Sequence, residues 1–141
     1  MVRKKKCGEL IKQINDELRK NANNEMRSQG LTATQANTLV ELYYAPEQQL
    51  SMKDLEERLH VAQSTVVGIV SRLEQKKLVE SFSHSSDKRI KLVRITQAGA
   101  ENVLKAEQDM MLVEQRFLSG LTEAEQSILY TLLTKVRDTL K

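Results

Sequence analysis

One cysteine, one proline, five glycines and no tryptophan are spread over 141 residues, and only 4% of the chain is aromatic. A single thiol, Cys7, excludes an intrachain disulfide. With only two histidines, His60 and His84, the donors for a structural zinc site are too few. Neither histidine falls beside a nucleophile or a carboxylate pair in the expected elements, so the pattern does not read as an enzyme and implies no cofactor. No apolar run approaches the roughly 20 residues that a membrane helix needs. The start, MVRKKKCGELIKQIND, is basic but no apolar segment follows it, which predicts no secretory leader and a cytoplasmic protein. With so little proline and glycine, helices are free to run long.

What is present is 40% hydrophobic and 29% charged, in a length that suits one domain-sized unit over 1–141. Leu10, Ile11, Ile14, Leu18, Ala22 and Met26 recur at helical spacing, predicting a first helix from about Cys7 to Arg27 that ends at Gly30. Thr32 with Gln35 resembles a capping box. It opens a second helix lined by Ala36, Leu39, Val40 and Tyr43 and stopped at Pro46. Ser51 with Asp54 caps a third, bearing Met52, Leu55 and Leu59. A turn at His60-Val61-Ala62 leads to a fourth, with Val66, Ile69, Val70 and Leu73 facing inward. Leu78 and Val79 lead into a strand. Ser83 to Lys88 is a polar tip, and Ile90, Leu92, Val93 and Ile95 return from it. Thr96 caps a fifth helix of about 22 residues, ~33 Å long at ~1.5 Å per residue, carrying Ala98, Val103, Met110, Phe117 and Leu118 up to Gly120. Thr122 with Glu125 caps a sixth, with Ile128, Leu129, Leu132, Leu133, Val136 and Leu140.

The expected fold is mainly α with a small β-wing: a winged helix–turn–helix unit over 31–96, with further helices at 7–28 and 97–141. Each outer helix has an apolar stripe, more than one small domain easily covers. A two-fold homodimer interlacing them buries the surplus; the alternative is an ordinary intramolecular bundle.

The net charge is only +3, but its distribution is uneven. Residues 60–95 hold seven Lys and Arg against three acids, a balance of +4. Arg3, Lys4, Lys5 and Lys6 add another +4, leaving −5 for the remainder. One basic face on an acidic body suits a polyanion. Lys4 to Lys6 fit a DNA-contacting arm or a solubilising tail equally well.

On the fourth helix the inward apolar set leaves Gln63, Ser64, Thr65, Gly68, Ser71, Arg72 and Lys76 outward. Short hydroxyls and an amide suit base edges and phosphates, and Gly68 permits close approach to a duplex. The plainer reading is a solvated polar face. The wing beside it holds Asp87, Lys88, Arg89 and Lys91. A carboxylate two residues from a guanidinium can fix its direction. An oriented Arg89 suits a narrow, negative minor groove, while Lys88, Lys91 and Arg94 supply phosphate contacts; the plainer reading is a surface turn pair.

Asp87-Lys88-Arg89 followed by Val93-Arg94-Ile95-Thr96-Gln97-Ala98-Gly99 resembles the wing of the MarR (multiple antibiotic resistance regulator) family. Ser64-Thr65-Val66 with Leu73-Glu74 and Leu78-Val79 resembles its recognition helix. Leu31-Thr32 with Gln35 and Leu39, and Leu121-Thr122-Glu123-Ala124-Glu125 with Leu132-Leu133, also match. The resemblance covers essentially the whole chain. It implies a homodimeric, sequence-specific regulator of transcription on pseudo-palindromic double-stranded DNA, a repressor released by a small aromatic or phenolic effector. The runner-up is a winged-helix protein–protein module without DNA binding. Met26, Leu39, Tyr43, Met110 and Met111 are candidate walls for the effector, though for each one singly filling the core is the better reading. Two positions depart from the pattern. Lys77 stands where the family usually has Gly, so that helix end is expected to differ in shape, and Ser81 stands where Arg is common. The family's oxidant sensors pair a first-helix Cys with tyrosines; Cys7 has no Tyr on its helix, which favours an ordinary exposed thiol.

Overall fold

The computed structural model describes residues 6–141. Arg3, Lys4 and Lys5 lie outside the described residues, as does the side chain of Met26; Lys6 is exposed. Among the described residues the elements run α1 (Cys7–Ser28), α2 (Ala33–Tyr44), a 3₁₀ turn (Pro46–Gln48), β1 (Gln49–Ser51), α3 (Met52–Leu59), α4 (Gln63–Gln75), β2 (Val79–Ser83), β3 (Lys91–Ile95), α5 (Gln97–Phe117) and α6 (Glu123–Thr139).

Local chemistry sets most of the helix starts. Thr32 Oγ1 accepts from the Gln35 N–H at 3.1 Å and the Gln35 side chain accepts from the Thr32 N–H at 3.2 Å, a complete capping box. Ser51 Oγ accepts from the Asp54 N–H. Thr122 and Glu125 repeat the box at α6. Thr96 does two jobs: its hydroxyl donates to the Lys77 carbonyl at 2.8 Å and accepts from the Gly99 N–H at 3.1 Å. That ties the start of α5 to the end of α4.

The strands form an antiparallel sheet in the order β1-β3-β2. β1, which pairs Leu50 with Val93, was not anticipated. Three residues with one buried side chain carry no readable alternation. Ile90, expected in the returning strand, lies before β3 and is exposed. Inside the sheet, Val79, Val93 and Ile95 face the core.

The chain divides into two compact units, 1–107 and 108–141, with the boundary inside α5. The first holds the hydrophobic core: Leu39, Leu42, Leu55, Val66, Leu73 and Val93 are fully buried. Thr38, also buried, donates to the Thr34 carbonyl. No buried side-chain polar atom among the described residues is without a partner. The second unit is a helical hairpin whose corner is fastened by the Gln126 amide donating to the carbonyls of Leu118 and Leu121. α6 buries none of its residues; Ile128, Leu132, Leu133, Val136 and Leu140 are all exposed.

Candidate nucleic-acid interface

α3 ends at His60, which adopts a left-handed conformation (φ 55°) and breaks the chain direction. Val61 and Ala62 complete the turn, and α4 starts with Ala62 as its cap. Alanine offers no side-chain acceptor, so the start of α4 has no side-chain cap. Val66, Ile69, Val70 and Leu73 anchor α4 to the core, as expected. Gln63, Ser64, Thr65, Gly68, Ser71 and Arg72 are exposed.

The other end of α4 corrects an expectation. Lys77 takes φ 62°, its N–H donates to the Glu74 carbonyl and the Leu78 N–H donates to the Leu73 carbonyl. This is a Schellman closure, the geometry that usually recruits glycine. The helix end keeps its shape with lysine in the left-handed position. Lys76, grouped above with the outward residues, caps the helix and donates its ammonium to the Gly30 carbonyl. It braces the α1–α2 turn and stays exposed.

In the wing, Asp87 binds Arg89 three times. Its Oδ1 accepts from the Arg89 backbone N–H at 3.0 Å and from Nε at 3.1 Å, and Oδ2 accepts from Nη2 at 3.2 Å. The bidentate fork fixes the guanidinium plane, yet 91% of the Arg89 side chain stays exposed. The Arg89 side-chain bonds, followed by its backbone N–H and the nearby His84, hold the Asp87 carboxyl below the usual carboxylate range. The turn is further set by the Ile90 N–H donating to the Asp87 carbonyl and the Ser86 N–H donating to His84 Nδ1. Lys88 is exposed beside Arg89. Arg94 is engaged elsewhere: its guanidinium stacks 4.8 Å from the Phe82 ring centroid and lies 3.8 Å from Glu80. It belongs to the sheet face opposite Val93, whereas Lys91 shares the face of Val93 and Ile95. Ser81 donates to Glu74 at 2.9 Å.

Between α3, α4 and the wing lies a hollow of about 570 Å³ lined by Ser51, Met52, Lys53, Glu56, Gln63, Val67, Arg89, Ile90 and Lys91. Three cations face one acid across it. Lys53 and Val67 were missed by sequence reasoning. Val67 repeats Gln63 at a spacing of four, the signal that could have found it.

Of the residues considered for an effector, Leu39 is sealed in the core, Tyr43 is half-buried, and Met110 and Met111 are exposed. Cys7 is an exposed free thiol. Among the described residues no cluster of His, Cys, Asp or Glu could hold a metal ion, and no helix is long and apolar enough to cross a membrane.

A helix–turn–helix whose second helix shares a cationic hollow with an antiparallel wing defines a winged helix–turn–helix protein. The profile of the MarR family matches residues 29–90, 62 of the 141 residues of this chain. It is similar to the HTH-type transcriptional regulator YdgJ of Bacillus subtilis, 25% identical over 111 residues, 79% of this chain and 66% of that protein. It is 34% identical over 73 residues to the HTH-type transcriptional repressor IacR of Pseudomonas putida, 52% of this chain and 44% of that one. The chain thus spans two thirds or less of these relatives' lengths. An S. aureus MepR variant bound to an oligodeoxyribonucleotide superposes with a TM-score of 0.82 at 26% identity, over 98% of this chain and 100% of that chain.

Proposed function

We propose that this protein is a cytoplasmic, sequence-specific regulator of transcription that binds double-stranded DNA as a two-fold homodimer. Residues 31–96 form the DNA-reading unit, and 7–28 and 97–141 the dimerisation helices. The observation that carries the reading is Arg89, locked in direction by Asp87 while almost wholly exposed at the rim of the hollow beside α4. An oriented, solvated guanidinium gains little from its own chain. Presented to a narrow minor groove it meets concentrated negative potential. Gln63, Ser64, Thr65, Ser71 and Arg72 then face the major groove, the start of α4, which has no side-chain cap, meets a phosphate, and Lys88 and Lys91 meet the flanking backbone. The MepR variant in complex with an oligodeoxyribonucleotide supports the docking mode. The repressor IacR supports the sign of regulation. Release by a small aromatic or phenolic effector completes the proposal, and requires that the effector prefer a dimer whose recognition helices are wrongly spaced.

The test is duplex binding across a salt series. Arg89→Ala should weaken binding to all sequences and flatten the salt slope by roughly one ion, whereas Thr65→Ala should change preference among sequences. If Arg89→Ala leaves affinity and slope intact, the wing does not contact DNA. A protein that binds no duplex at any salt is the protein–protein module instead. Aromatic acids titrated into the complex should release DNA.

A further inference from the structure

Two residues on the outward face of α4 are not accounted for by core packing among the described residues. Val67 is 50% exposed in the middle of the helix, although α4 already fills its inward face with Val66, Ile69, Val70 and Leu73. A β-branched residue there costs helix propensity without gaining packing. Its neighbour Gly68 is a poorer helix former than alanine in a helix interior. A Cβ built at Gly68 meets nothing within 4 Å, so no contact inside the chain requires glycine. Both features make sense only against something outside that approaches the helix closely and presents an apolar group to Val67.

The surroundings say what that is. Val67 lies in the hollow with Ile90 and Met52, bordered by the cations Lys53, Arg89 and Lys91 against one acid, Glu56. The occupant must be polyanionic at its edges and apolar at one point inside. A duplex major groove has phosphates on its walls and one apolar protrusion among its base edges, the 5-methyl group of thymine. We infer that Val67 is a specificity-determining residue that packs on a thymine methyl, with Gly68 letting the helix sit close enough, so that each half-site carries thymine at the base pair apposed to Val67. The inference rests on the DNA-binding reading above.

A duplex of about 30 bp selected by the purified full-length protein from a random pool provides the probe. Each thymine is replaced singly by deoxyuridine, which keeps base pairing and removes only the methyl. One position per half-site should lose affinity about fourfold, the value of one buried methyl-sized group. Val67→Ala should bind thymine and uracil duplexes alike, with circular dichroism unchanged because the side chain is exposed. Uracil at every position without effect, or a uracil penalty undiminished in Val67→Ala, overturns the inference while salt-dependent binding leaves the DNA-binding reading standing. A protein that selects no duplex overturns both.

Discussion

Asp87 and Arg89 are the residues on which the wing turns, and their link has a defined pH dependence. The Asp87 carboxyl is held below its ordinary value, chiefly by the Arg89 guanidinium. A depressed carboxylate contributes stability that is complete above the unfolded value, about 3.9, and is lost as pH falls through the depressed one. Wing-loop amide resonances followed against pH should therefore show the Asp87 transition below the ordinary aspartate value of about 3.9. A transition at or above that value would mean the clamp is absent in solution. Lys77 offers a second test. It occupies a left-handed conformation at φ 62°, which costs a non-glycine residue about 1–2 kcal/mol. Glycine relieves this but loses about 0.5–1 kcal/mol through its freer unfolded state. Lys77→Gly should stabilise the fold by roughly 0.5–1 kcal/mol, raising Tm by about 2–3 °C. A fall in Tm would show that the lysine side chain contributes more than the strain removes.

Among the elements, α5 is placed by close contact at its first turn. A Cβ on Gly99 would overlap the Leu78 carbonyl oxygen and the Ile95 side chain. That carbonyl already accepts from the Thr96 N–H at 3.0 Å, so it cannot swing away without loss. Gly99→Ala should cost about 2 kcal/mol or more by overpacking, measured as a lower urea midpoint with unchanged slope. An unchanged midpoint would mean that the end of α4 and the start of α5 move apart freely.

The whole molecule is left with a surplus of apolar surface. α6 has 17 residues and buries none of them. Leu132 is 53% and Val136 50% exposed, while Leu10, Ile11 and Ile14 on α1 are also uncovered. A helix with an open apolar stripe draws its stability from what covers it, and a two-fold partner supplies a matching face. Sedimentation at micromolar concentration should give twice the 16.1 kDa chain mass. Leu132→Asp with Val136→Asp should give monomers or unfolded protein, and a wild-type monomer would remove the homodimer from the proposal.

The parts of this molecule legible from its residue order are those made by near neighbours. A capping box joins positions three apart, so the starts of α2 and α6 could be read directly; the Asp87–Arg89 fork spans two. Inward faces of α4 followed from period alone. What could not be read depends on residues far apart in the chain. Lys76 reaches the Gly30 carbonyl across 46 positions and Tyr44 reaches Glu107 across 63. β1 exists only because β3 is there to pair with it. Lys77 could be seen to replace a glycine, but whether the backbone would yield was settled by the hydrogen bonds that close the helix over it. Val67 shares the spacing of Gln63 but the apolar character of Val66, Ile69 and Val70, and it is the seating of those three on the core that left Val67 exposed.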